Sequence, residues 1–215
     1  MRFVIFGAGA IGGVVGAKLH QSGFEVALIA RGAHYEAIRE HGLTIEQPHQ
    51  RAVLLIPVAD SPGALDWNGD EVVMVATKSQ DTAGALEALR GTAPASTPVV
   101  CLQNGVENER VALRLFPNVY GAVVMSPTAH LEAGIVQAYG TKGTGVIDVG
   151  RYPSGLGALS EEIAEALGAS DFSSVARADI MRFKYAKLLN NVGNAVDAIC
   201  EPGPDADELY KLARE

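Results

Sequence analysis

Cysteine is scarce in this sequence. Its 215 residues hold two, Cys101 and Cys200, and these do not share the short spacing of a metal knuckle or a redox C-x-x-C pair. A disulfide scaffold and a cysteine-based metal site are not expected, whereas two unpaired thiols in a reducing compartment are. Excess positive charge is missing too. Lys and Arg number 17 against 25 Asp and Glu, a formal net charge of -8. Nucleic acid and anionic membrane surfaces need a basic face, so neither is an expected partner. The first apolar run follows the single Arg2 and ends at glycines, too short for a signal peptide or a membrane span. A cytoplasmic chain is expected.

Apolar residues make up 48% and charged residues 20% of the chain, a composition that folds. The length accommodates one large α/β domain and a smaller appendage. RFVIF at 2–6 is a continuous apolar run of the kind found in a parallel strand buried on both faces. Glycines stop it, a helical pattern runs from Ala10 to about Gln21, and GFEVALIA forms a second strand ending near Ala30. Further strand-like runs fall at about 53–58, 72–76, 98–102 and 119–125, with helix-like segments at about 81–90 and 106–115. This alternation implies a doubly wound, mostly parallel sheet. GIVQAYG and TGVIDVG are expected to extend that sheet, followed by a helix over GALSEEIAEALGAS and a short strand at DFSSV. From about Ala178 a single helical pattern runs to about Ile199, where EPGPD breaks it. The expected division is 1–175 for the sheet domain and 176–215 for the beginning of a helical one.

Between the first strand and first helix stands Gly7-Ala8-Gly9-Ala10-Ile11-Gly12, a match to G-x-G-x-x-G in the place the chemistry needs it. Gly7 allows the tight turn, Gly9 lets a pyrophosphate approach the backbone, and Gly12 lets the helix close on the strand. The unpaired N–H groups at the start of that helix, including those of Ala10 and Ile11, would face the phosphates. The pattern is that of a Rossmann-type nicotinamide-dinucleotide site. Enzymes that use NAD place a carboxylate about 20 residues on, at the end of the second strand. Here Ala30-Arg31 stands there, without an acid and with a guanidinium suited to the 2′-phosphate of NADP. Arg31 is otherwise the start of a solvated loop, and His34 either assists it or is an exposed loop residue.

Ligands of such sheets bind beyond the carboxyl ends of the strands. Thr77-Lys78 and Gln103-Asn104-Gly105 occupy two of those ends. Lys78 and Asn104 either line the cleft as donors or serve capping and turn formation. In the C-terminal helix, Lys187, Asn191 and Asn194 stand at i, i+4 and i+7 on one face, beside Leu188, Leu189, Val192 and Val196. A lysine in a partly dry cleft gives up its proton more easily and can protonate a carbonyl oxygen. The alternative is a solvated face with snorkelling lysines.

FGAGAIGGVVGAKL, Ala30-Arg31, TKSQDT, QNGVEN and KLLNNVGN together resemble the ketopantoate reductase family, the NADPH-dependent 2-dehydropantoate 2-reductases. The resemblance runs over essentially the whole chain. It implies a Rossmann domain followed by a helical substrate domain, here truncated relative to the family. It also implies a place in pantothenate biosynthesis, Arg31 on the 2′-phosphate, and Lys78 and Asn104 lining the cofactor and substrate cleft. Lys187 would be the general acid, preferred to Lys184 for its spacing to Asn191, which would hold the substrate. The next family asparagine commonly falls eight residues after the lysine, where this chain has Ala195, with Asn194 one residue earlier. Family members usually continue through a larger helical domain that adds a serine and a glutamate, whereas this sequence stops at Glu215. The expected activity is reduction of a 2-oxo acid, ketopantoate foremost, with another small 2-oxo acid or an NADP-binding module without turnover as alternatives. Apolar residues along the last helix raise the expectation of a homodimer through it.

Overall fold

A computed structural model describes residues 1–214. Its elements, in chain order, are β1 (Arg2–Phe6), α1 (Ala10–Gln21), β2 (Glu25–Ile29), α2 (Gly32–His41), β3 (Leu43–Gln47), β4 (Gln50–Leu54), β5 (Val58–Ala59) and β6 (Glu71–Val75). There follow α3 (Thr82–Arg90), β7 (Val99–Cys101), α4 (Asn108–Leu113), β8 (Val119–Met125), β9 (Thr128–Ala129), β10 (Ile135–Ala138) and β11 (Gly145–Arg151). The chain continues through α5 (Ala158–Ala169), β12 (Phe172–Ser173), α6 (Ile180–Ile199) and α7 (Pro204–Leu212).

The main sheet has the order β12-β11-β8-β7-β6-β1-β2-β5. It is parallel except where β11 runs antiparallel to β8. From β1 the chain first moves to β2 and β5 and then returns to lay β6, β7 and β8 on the other side. The order therefore reverses between β1 and β6, and a crevice opens at their carboxyl ends. Apolar side chains fill both faces: Phe3, Ile5, Leu28 and Met74 belong to one buried cluster, and Val4, Val73, Val75 and Leu86 to the other. This two-sided burial is why the strands read as unbroken apolar runs rather than alternating ones. Cys101 is buried in β7, Cys200 follows α6, and both are free. Among the described residues no helix is long and apolar enough to cross a membrane.

One expected extension of this sheet is corrected. TGVIDVG does join it as β11, but the strand within GIVQAYG, β10, pairs parallel with β3 in a separate sheet of order β4-β3-β10-β9. That sheet lies across α1, whose residues Gly12 to Leu19 are all buried. A Cβ on Gly13 would stand 2.7 Å from Val136 of β10. Helix α1 is thus covered on two sides, which explains its lack of a polar stripe. The 53–58 run is also corrected, because it divides between the exposed strand β4 and the two-residue β5. EPGPD does break the long helix, yet Pro204 then opens α7, a first-turn position where its missing N–H costs nothing.

His34 lies in α2 rather than in an exposed loop, and it ties the two sheets together. The Gly134 N–H donates to its Nδ1 at 2.9 Å, so Nε2 carries the ring proton and donates to the Ala8 carbonyl at 2.7 Å. The ring also lies against His130, with centroids 4.0 Å apart. Burial lowers the His34 pKa, Ala8 opposes that shift, and His130 adds to it. The unfolded chain therefore takes up a proton at His34 before the folded one does. The stability from this neutral histidine is complete above the ordinary imidazole value of about 6.5 and is lost as pH falls from there through the lowered folded value. Urea unfolding at pH 7 and pH 5 should show a smaller acid loss for His34→Asn than for the natural chain; equal losses would refute the assignment.

Candidate active site

Beyond β1 the backbone turns sharply at Gly7, which has φ +105. A side chain there would be strained and would also place its Cβ 2.9 Å from the Thr77 nitrogen. A Cβ on Gly12 would lie 2.1 Å from the Gly7 carbonyl oxygen, so α1 can approach β1 this closely only with glycine at that position. Around Gly9, by contrast, a Cβ would meet nothing within 4 Å. This open space is the entrance to a cleft. Helix α1 begins at Ala10 with no side-chain cap and no acid in its first turn, so its leading N–H groups are free to meet an anion.

The cleft has a volume of about 940 Å³ and reaches from Gly9, Ala10 and Ile11, past Lys78 and Asn104, to Lys187. A second hollow of about 430 Å³ shares Gly9 and Lys78 with it and continues to Ala30, Arg31 and His34. Arg31 is exposed, opens α2, and forms no ion pair among the described residues. The two hollows make one trough with helical N–H donors near its middle and a guanidinium at one end. The open space at Gly9 and this donor set fit a dinucleotide with an additional phosphate. Among the described residues no group of three or more His, Cys, Asp or Glu could hold a metal ion.

At the other end, α6 delivers Lys187. Its ammonium donates to Asn104 Oδ1 at 2.6 Å and to the Val124 carbonyl. Burial, chiefly, and the neighbouring charge of Lys184 hold its pKa below that of a free lysine. The Asn104 side chain thus binds Lys187, while the turn beside it is made by Gly105 at φ +83. A polar network fixes this loop from behind. Gln103 Nε2 donates to Thr82 Oγ1 at 2.8 Å, Thr82 Oγ1 donates to Asn108 Oδ1 at 2.9 Å, and Asn108 Nδ2 donates to the Asn104 carbonyl at 3.0 Å.

The two lysines of α6 have different surroundings. Lys184 is buried, forms an ion pair with Glu109 at 2.5 Å, and donates to the Gln103 carbonyl at 3.0 Å. It does not reach the main cleft, which Lys187 lines. Asn191 is half-buried and shares a small recess with both lysines. Asn194 is exposed and lines none of these hollows. Sequence reading did not single out Glu109, Asn108, Thr82 or His130. The one available hint was an acid within ENERVAL and a lysine three residues before Lys187, and only the fold pairs them.

The family model described as ketopantoate reductase PanE/ApbA matches residues 3–154. The 2-dehydropantoate 2-reductase of Pyrococcus horikoshii is 32% identical over 220 residues, covering 100% of this chain and 70% of that protein. The enzyme of that name from Pyrococcus abyssi is 28% identical over 202 residues, covering 94% of this chain and 65% of its own length. The crystal structure of a PanE/ApbA family ketopantoate reductase from Ralstonia eutropha JMP134 superposes with a TM-score of 0.85 at 28% identity, over 98% of this chain and 70% of that one. The chain thus spans about two thirds of these relatives. With a glycine turn, a trough and a lysine in this arrangement, and a family match across most of its length, the chain belongs to the ketopantoate reductase family of oxidoreductases.

Proposed function

We propose that this protein reduces a 2-oxo acid with NADPH, and that the acid is ketopantoate. The observation that carries the reading is the Lys187 ammonium, held by Asn104 at one end of a trough that begins at the glycine turn. The N–H groups of α1 hold the pyrophosphate, and Arg31 pairs with the 2′-phosphate as a bidentate donor. Lys78, at the end of β6, lies where the two hollows meet and contacts the cofactor from the opposite wall. When bound, NADPH supplies the hydride that reduces the keto carbon.

Lys187 performs the complementary step. Its Nζ gives a proton to the keto oxygen as negative charge develops there, and the C=O bond becomes an alcohol. A lowered pKa makes that proton easier to release, and Asn104 keeps the ammonium from swinging away. Asn191 holds the substrate from the recess beside Lys187. Asn194, exposed one turn further along α6, would contribute only once something covers that face. Residues 176–215 are read as the beginning of the helical substrate domain. We also propose a homodimer through α6, where Tyr185, Leu189 and Ile199 are exposed.

Three measurements test this. Titration in one buffer, read by nicotinamide fluorescence, should show tighter binding of NADPH than of NADH, and Arg31→Ala should abolish the preference; equal affinities in the natural chain would reject the role of Arg31. Ketopantoate-dependent oxidation of NADPH should fall about 10²- to 10⁴-fold in kcat for Lys187→Ala with cofactor affinity little changed. NADPH binding without any such oxidation would make the chain a binding module. Sedimentation should show a dimer, and a monomer at high protein concentration would reject the assembly.

A further inference from the structure

Behind the Lys187 site lies an ion pair that the proposed reaction does not use. Glu109 of α4 is 0% exposed and Lys184 of α6 is 4% exposed. Such a pair contributes little net stability, because removing two charges from water offsets most of their attraction. It is also well enclosed. A Cβ on Gly121 of β8 would stand 3.3 Å from Glu109 Oε1, so no side chain comes between strand and carboxylate. The second contact of Lys184 is more specific than its first: it donates to the main-chain oxygen of Gln103, the residue before Asn104. Asn104 in turn accepts from Lys187. The path from Glu109 to Lys184, Gln103, Asn104 and Lys187 is therefore continuous.

We propose that the Lys184–Glu109 pair is the positioning element of the proton-donor site, fixing the strand end that holds Lys187 and keeping a permanent positive charge one helical turn from the Lys187 ammonium. Lys184 and Lys187 stand at i and i+3, neighbours on one face of α6. Glu109 stands 2.5 Å from the Lys184 ammonium, and the Gln103 carbonyl, 3.0 Å away, fixes where that ammonium sits. Burial pushes the Glu109 carboxyl up, and Lys184 opposes that shift. The other titratable groups around Lys187 are Lys78 and His130 on the cleft wall and, behind the pair, the Cys101 thiol of β7. Burial pushes that thiol up and keeps it neutral, so Lys184 is the nearest fixed cation on the helix itself. Its charge adds to desolvation in favouring release of the Lys187 proton.

This deepens the reading of Lys187 as the proton donor and takes its catalytic meaning from it. The experiment reads the ammonium directly, so failure of one is distinguishable from failure of the other. The folded chain is acylated with acetic anhydride across a pH series, and labelling at Lys187 is followed by peptide mass spectrometry, without substrate or cofactor. Lys184→Met combined with Glu109→Gln removes both charges and leaves no unpaired buried ion; Lys184→Met with Glu109→Met does the same with apolar atoms should the amide fail to pack. In whichever pair folds, judged by circular dichroism, the Lys187 labelling midpoint should move to higher pH and labelling at pH 8 should fall several-fold. Lys184→Arg keeps the charge and should leave the midpoint in place. An unchanged midpoint in a folded double variant would overturn the proposal, as would an equal displacement by Lys184→Arg, which would mark the pair as packing alone.

Discussion

The structure depends on how closely α1 approaches the sheet. With Gly12 against the Gly7 carbonyl, the helix axis is drawn onto β1 and its first N–H groups are aimed over the strand ends. The same approach leaves the far side of α1 to be covered, and the small β4-β3-β10-β9 sheet covers it through Val136. The glycine turn is consequently clamped from both sides. His34 completes the clamp by joining Ala8 of that turn to Gly134 ahead of β10. The close approaches at Gly12 and Gly13 thus orient the first turn of α1, seat the second sheet and set one wall of the trough.

The opposite wall is built from polar groups, and its energetics differ. Glu109, Asn108, Thr82, Gln103 and Lys184 are all buried, and each hydrogen bond or ion pair among them replaces one made with water. Each hydrogen bond contributes about 1 kcal/mol net, while leaving a buried partner unpaired costs more than that; the Lys184–Glu109 ion pair adds little beyond its desolvation cost. Such a network specifies one arrangement more than it adds stability. What it specifies here is the backbone of Gln103-Asn104 and, through it, the position of Lys187. The apolar wall determines where the trough lies, and the polar wall determines where the Lys187 ammonium stands.

Most of the main strands, their mostly parallel doubly wound class, the glycine turn and the Lys187 helix were legible in the sequence because their signals are local. Buried parallel strands read as apolar runs, and G-x-G-x-x-G between a strand and a helix has a compact mechanical meaning. What was not legible has equally definite causes. Helix α2 buries only Ile38 and so carries almost no apolar period. Strand β10 looks like any other short apolar run, and its partner β3 lies some ninety residues earlier, so nothing local assigns it to the second sheet. In the site, Arg31, Lys78, Asn104 and Lys187 could be named from strand ends and helix spacing. Glu109 could not, since an acid in a short helix normally faces water and only tertiary packing brings it against Lys184.

Charge is unevenly distributed in this acidic molecule. The chain carries a formal charge of -8, yet Arg31, Lys78 and Lys187 all line the connected hollows, together with the helix N-terminus at Ala10. Cations gathered in a concave site concentrate anions there even when the molecule as a whole is acidic. The three cations are not equivalent there. Arg31 and Lys78 are exposed and hydrated. Lys187 is partly desolvated and tied to Asn104 before any ligand arrives, so the cost of ordering it has already been met by the fold. On the proposed reading, the cation that moves a proton is the one the protein has already dried and oriented.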